Sequence, residues 1–139
     1  MTLHLSPTLH TPEVIATLTP LRIVLRGVCF PNDSTSFFES IQKFIEDSAP
    51  ALRGKTLEIH LELEYMNSSS QRELFNLIRN LVKRELKVCL ICYEGQEEEF
   101  DDLRHLLMAL EGLSGVEIEK RAGYYQADSS AQEAPPGKS

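Results

Sequence analysis

The run Tyr65-Met66-Asn67-Ser68-Ser69-Ser70 sets an amide and three hydroxyls in consecutive positions. Two kinds of chemistry suit such a group. A serine or asparagine oxygen can accept a backbone N–H and cap a helix. A serine hydroxyl can also carry a phosphate, which brings about −1.5 to −2 charges and three strong acceptor oxygens. Ser68-x-x-Gln71 and Ser70-x-x-Glu73 both fit the capping-box pattern, so one serine is expected to cap the next helix while the others stand spare. Capping alone is the commoner use of such residues. A helix N-terminus nevertheless offers free N–H groups and a partial positive charge, so a phosphate added there meets favourable partners.

Other reactive side chains form no such group. Cys89-Leu90-Ile91-Cys92 has the spacing of a metal or redox pair. It lies in an apolar run that reads as a strand, where residues three apart point to opposite faces. Redox pairs of this spacing sit at helix starts instead. Both cysteines are expected to be small core side chains, and Cys29 stands alone. His4, His10, His60 and His105 show no metal-binding spacing. His60 falls among glutamates on a strand, where surface pairing is expected. Glu97-Glu98-Glu99 and Asp101-Asp102 lack the EF-hand pattern with its central glycine, and suit the first turn of a helix. No phosphate-binding glycine loop, dinucleotide fingerprint or nucleophile elbow is present. The sequence therefore assigns no catalytic residue, no metal and no cofactor, and the chain does not read as an enzyme.

The bulk numbers narrow the partners. The chain has 139 residues and a formal net charge of −7, with a pI of about 5.1. That length fits one domain with an adequate core. The acidic balance argues against nucleic acid, whose binding rests on clustered lysines and arginines. No apolar run approaches the roughly 20 residues that cross a bilayer. Neither a signal peptide nor a disulfide framework is expected from the N-terminus and the three cysteines, so a cytoplasmic location follows.

Elements must hold the serine run in place. Residues 1–12 read as a flexible lead, residues 13–125 as a single domain and residues 126–139 as a disordered tail. Val14–Leu18 and Leu21–Arg26 read as a hairpin across Pro20. Pro31-Asn32-Asp33 marks a turn, and Asp33 or Ser34 caps a helix with Phe37, Phe38, Ile41, Phe44 and Ile45 on one face. Pro50 and Gly54 end it. Leu57, Ile59, Leu61, Leu63 and Tyr65 alternate with Glu58, His60, Glu62 and Glu64, the pattern of a half-buried strand. A helix over Gln71–Glu85 turns Leu74, Leu77, Ile78 and Leu81 inward. Val88–Tyr93 suits a central strand. Glu94–Asp102 is a charged connection into a third helix, with Phe100, Leu103, Leu106, Leu107 and Leu110 inward. Val116–Glu119 makes the last strand.

The order is β-β-α-β-α-β-α-β, an α/β fold with a mixed, mostly parallel sheet. Helices on both faces would bury Glu58, Glu62 and Glu64 at high cost, so they are expected on one face only. Arg22, Arg26, Glu117 and Glu119 should share the other, wet face with those glutamates and pair across strands.

The stretch Leu57–Tyr93 has a pattern of its own: a strand ending in L-x-Y-M-N-S-S-S, an amphipathic helix, then a strand ending in Tyr93 with acids after it. This resembles the SiaC family of bacterial regulatory phosphoproteins. Gly27-Val28-Cys29-Phe30-Pro31-Asn32 followed by Phe37-Phe38 resembles the segment upstream in that family, and the match runs from about Val14 to about Ile118. The resemblance implies a fold like the STAS domains of anti-sigma factor antagonists and a partner-switching role in signal transduction. It implies a Ser/Thr protein kinase and a PP2C-type phosphatase acting on Ser68, with Ser69 and Ser70 as lesser candidates. It implies that the unphosphorylated form binds and activates a diguanylate cyclase, raising cyclic di-GMP and favouring biofilm growth. Tyr65, Asn67, Ser68, Ser69, Pro31 and Asn32 are the implied partner-binding residues. Departures from the family pattern at Asn32-Asp33, Cys29 and the segment after Tyr93 leave room for a different output partner. The competing readings are an anti-sigma factor antagonist, a small enzyme built on His60, and a structural module whose serines only cap.

Overall fold

In the computed structural model, residues 2–93 and 103–126 are described. Six strands form one sheet in the order β1-β2-β3-β4-β5-β6, which is also their order along the chain. They are β1 (Thr2–Leu5), β2 (Glu13–Leu18), β3 (Leu21–Cys29), β4 (Thr56–Met66), β5 (Lys87–Tyr93) and β6 (Val116–Arg121). The first three pair antiparallel and the last four pair parallel. Helices α1 (Ser34–Glu46), α2 (Ala49–Leu52), α3 (Ser68–Lys83) and α4 (Arg104–Glu111) fill the crossovers. None of these helices is long and apolar enough to cross a membrane.

A strand order that advances one neighbour at a time, through right-handed crossovers, puts every helix on the same side. The main core lies there. Ile23, Leu25, Leu57, Ile59, Leu61, Val88 and Leu90 point from the sheet into Phe38, Ile41 and Ile45 of α1, Leu74, Leu77, Ile78 and Leu81 of α3, and Leu106, Leu107 and Leu110 of α4. The alternation and the 3.6-residue period thus place the apolar faces as the sequence predicts. Cys92 joins this core while Cys89 lies on the opposite face, so the two cysteines do point apart.

Two element assignments differ from the sequence expectations. Thr2–Leu5, read as part of a flexible lead, pairs with β2 in the register Thr2↔Thr17 to Leu5↔Val14. A short helix, α2, with Pro50 in its first turn stands where α1 was expected to run on. The charged connection Glu94–Asp102, including Phe100, and the tail 127–139 lie outside the described residues.

The far face of the sheet carries the expected cross-strand pairs. Arg22 Nε lies 3.1 Å from Glu58 and Arg26 Nε lies 3.5 Å from Glu62. Its centre, however, is dry. Val24, His60, Ile91 and Tyr93 are buried there, so His60 is a core residue at 4% exposure rather than a surface one. Tyr125 supplies part of the cover. Its N–H donates to Glu62 (2.8 Å), and its ring stands edge-on to His60 and Tyr93. His60 Nδ1 lies 2.8 Å from the Tyr93 hydroxyl and Nε2 lies 2.9 Å from Glu58. Arg121 donates to the same hydroxyl at 3.3 Å. One tautomer satisfies all of these contacts: Tyr93 donates to Nδ1, and Nε2–H donates to Glu58.

Burial holds the His60 imidazole below its ordinary value, although Glu58 pulls the other way. The hydrogen bond from His60, more than the Arg22 charge, holds the Glu58 carboxyl below its ordinary value. Both shifts act in the same direction. As pH falls past about 6.5, an unfolded histidine takes up a proton before the folded one does, and stability is lost. Glu58 adds a further loss at lower pH, below about 4.3. The urea midpoint is therefore expected to fall between pH 7 and pH 5. The fall should be shallower in His60→Phe, which keeps the ring but cannot titrate; an equally steep fall in that variant refutes the role of His60.

Candidate functional site

The serine run is held by a change of phase at the end of β4. Gly27 pairs with Leu63 and Val28 pairs with Tyr65, so Glu64 is an extra residue and forms a bulge. Gly27 reaches this register with φ of +118°, a region that favours glycine. Beyond the bulge the alternation is reversed. Met66 points into the core, and Tyr65, expected to point inward with Leu63, is 46% exposed. The Asn67 N–H then donates to the Cys29 carbonyl at 3.0 Å, which ties the corner to the end of β3.

Asn67, not a serine, caps α3. Its backbone is extended, and its side-chain oxygen accepts from the Ser70 N–H at 3.0 Å. The two capping boxes suggested by the sequence are not formed. Gln71 Nε2 donates to the Met66 carbonyl (2.9 Å), and Glu73 accepts from the Thr35 hydroxyl (3.2 Å).

The three serines consequently have three different environments. Ser70 is fully buried, with its hydroxyl 3.2 Å from that of Ser34. It also bonds the Cys29 thiol, which burial pushes up to about 11, too high for a thiolate nucleophile near neutral pH. Ser69 is half-buried, 2.8 Å from the same Ser34 hydroxyl. Ser68 is exposed, and no hydrogen bond engages its hydroxyl among the described residues. Ser34, which the sequence offered only as a cap, links the starts of α1 and α3. Asp33 is the cap of α1, accepting from the Ser36 N–H at 3.1 Å.

Around Ser68 the surface is mixed. Asn32 is exposed and Asn67 half-exposed, as partner-binding residues would be. Pro31 is buried beside the exposed Asn32. Phe30 stands edge-on between His10 and Tyr65, with ring centroids 4.9 and 5.7 Å apart, and props the exposed tyrosine. On the other side a groove of about 390 Å³ opens between α3 and α4. Ser68, Arg72, Phe75, His105, Leu106 and Ala109 line it. The sequence reading starts this helix at Gln71, so it does not bring Ser68 onto one face with Arg72 and Phe75, nor does it show the facing wall on α4. Among the described residues, no group of three His, Cys, Asp or Glu side chains is placed to hold a metal ion.

With this geometry in place, comparison with known proteins identifies relatives. The family model described as SiaC family regulatory phosphoprotein matches residues 5–99. No curated protein matches the chain in sequence. Among solved structures, SiaC of Pseudomonas aeruginosa superposes with a TM-score of 0.72 at 21% identity, over 88% of this chain and 98% of that one. A second match is to the crystal structure of the diguanylate cyclase SiaD in complex with its activator SiaC from Pseudomonas aeruginosa. It has a TM-score of 0.71 at 22% identity, over 86% of this chain and 98% of that one. At these identities the likeness establishes the fold.

The division of labour in the serine run has a direct test. Asn67→Ala is expected to cost about 1 kcal/mol in urea denaturation, the usual loss on removing an N-cap. Ser68→Ala should change stability by no more than about 0.5 kcal/mol, as an exposed substitution does. The opposite ranking would return the capping role to the serine.

Proposed function

This chain belongs to the SiaC family of regulatory phosphoproteins, and from that premise we propose that Ser68 is its phosphoacceptor and that phosphorylation there switches the binding of an output partner. The observation that carries the reading is the sorting of the three hydroxyls. Ser70 and Ser69 are turned into the Ser34 network, whereas Ser68 is presented at the first position of α3 with its hydroxyl unengaged among the described residues. A Ser/Thr protein kinase reaches it without opening the fold, and a PP2C-type phosphatase reaches the product in the same way. The cap is unaffected, because Asn67 provides it.

The output partner on this reading is a diguanylate cyclase, bound and activated by the unphosphorylated form, as SiaC is the activator of SiaD. The chain itself performs no catalysis; it works by occupying or vacating its partner. The contact surface is the corner formed by Tyr65, Asn67, Ser68, part of Ser69 and Asn32. A partner docked closely over this corner must bury Ser68. A phosphate there adds bulk and charge to a dry interface, and burying charge without good pairing costs several kcal/mol. A loss of about 4 kcal/mol corresponds to about a thousandfold in affinity.

The switch is local, so binding should change while the fold does not. Ser68→Ala is expected to bind the cognate cyclase as the wild type does, Ser68→Asp to bind more weakly, and protein phosphorylated at Ser68 to lose about a thousandfold. Equal affinities across all forms, measured by calorimetry, would sink the switching mechanism. The acceptor itself is checked by intact mass on protein from its own cells: a one-phosphate shift that persists in Ser68→Ala assigns the modification elsewhere.

A further inference from the structure

We infer that the groove between α3 and α4 is a receptor in cis for the phosphate on Ser68, with Arg72 and His105 as the side chains that hold it. The inference rests on Ser68 being phosphorylated, and it adds where the phosphate goes.

Four observations place the receptor. Ser68, Arg72 and His105 line the same groove, of about 390 Å³. Arg72 follows Ser68 by one helical turn, the spacing at which side chains on one helix meet. Its guanidinium also has no carboxylate partner among the described residues. Arg22, Arg26, Arg53, Arg84 and Arg121 each pair with a carboxylate, whereas Arg72, like Arg79 and Arg104, has no such partner among the described residues. Finally, among the described residues, two acids near the start of α3 are engaged elsewhere: Asp33 caps α1, and Glu73 accepts from Thr35.

A guanidinium can take two phosphate oxygens at once in a bidentate, charge-assisted pair. The imidazole of His105 lines the same groove from α4 and can donate an N–H to a third oxygen. Phosphoserine would thus fold back along α3 instead of standing out into solvent, filling the mouth of the groove and drawing Arg72 with it. Phe75, Leu106 and Ala109 line the remainder, an apolar floor that the folded phosphate would shut off from a partner.

The test installs phosphoserine at position 68 during synthesis, so that it does not depend on any kinase choosing this residue. The second ionisation of the phosphate is then followed by 31P NMR against pH. It should lie about half a unit below that of the same protein in 8 M urea, since nearby cations favour the dianion. Arg72→Gln or His105→Gln should remove or reduce the difference. Lys83→Gln, some 22 Å away along α3 at 1.5 Å per residue, should leave it unchanged. Arg72 and His105 are both exposed, so these variants are expected to fold, and circular dichroism checks that they do. No difference from the urea sample, or a difference that survives in both groove variants, overturns the receptor. Failure of Ser68 as the natural acceptor would appear only in the intact mass of protein from cells, and would leave this titration as it is.

Discussion

One residue too many at the end of β4 decides how the corner is presented. Side chains on a strand alternate, so a single inserted position reverses which of them face the core. Glu64 is that insertion, opposite the Gly27–Val28 step of β3. Because of it Met66 is buried and Tyr65 is exposed. A strand that kept its phase would bury Tyr65 and expose Met66. It would also turn Asn67 away from the Cys29 carbonyl that now fixes it. The pairing of β3 with β4 therefore does more than close the sheet, since it aims the start of α3.

Once Asn67 is aimed, its side chain allots the serines their places. An N-cap oxygen reaches the N–H two or three residues into the helix, and here it takes that of Ser70. Ser70 must then sit on the inner side of the first turn, where it is buried with Ser34 and Cys29. Ser68, two positions earlier, is carried about 200° around the helix axis, since successive residues are about 100° apart. It faces out for the same reason that Ser70 faces in. Capping and a modifiable hydroxyl are compatible because different residues supply them.

How much of this the sequence discloses depends on the distance over which each feature is determined. The inward faces of α1 and α3 and the alternation of β4 as far as Leu63 are periodic within one element, and they read correctly. The reversal at Tyr65 does not show in the alternation of β4, because it is set by Gly27 on the neighbouring strand, more than thirty residues earlier. The burial of His60 is hidden for a similar reason: Tyr125, which helps to cover it, belongs to the last described residues of the chain. β1 is only four residues long and is followed by Pro7, so its alternation of Leu3 and Leu5 is too short to stand out. The capping error is of another kind. Ser-x-x-Glu and Ser-x-x-Gln are genuine capping patterns, but Asn67, upstream of both serines, takes the cap instead by accepting from the Ser70 N–H, and the helix starts ahead of either box. The groove beside Ser68 needs two helices and has no signature in either.

The placement of Ser68 also separates two free energies that a switch must keep apart. The residues that hold the fold, from Met66 through Ser70 to Leu74, face inward and do not touch the Ser68 hydroxyl. Stability is therefore nearly blind to what happens at that oxygen. On the proposed reading, affinity for a partner seated on the corner is not, because there the oxygen would lie within the contact. A phosphate that spoils the interface by several kcal/mol while costing the fold almost nothing changes occupancy without raising the unfolded fraction. Had Ser70 been the acceptor, the order would be inverted: a dianion in the Ser34–Cys29 cluster would bring its desolvation cost into the core, and the domain would unfold before its partner had let go. Reversibility thus requires an acceptor that the cap leaves outside, and among the three serines only the first position of α3 meets that condition.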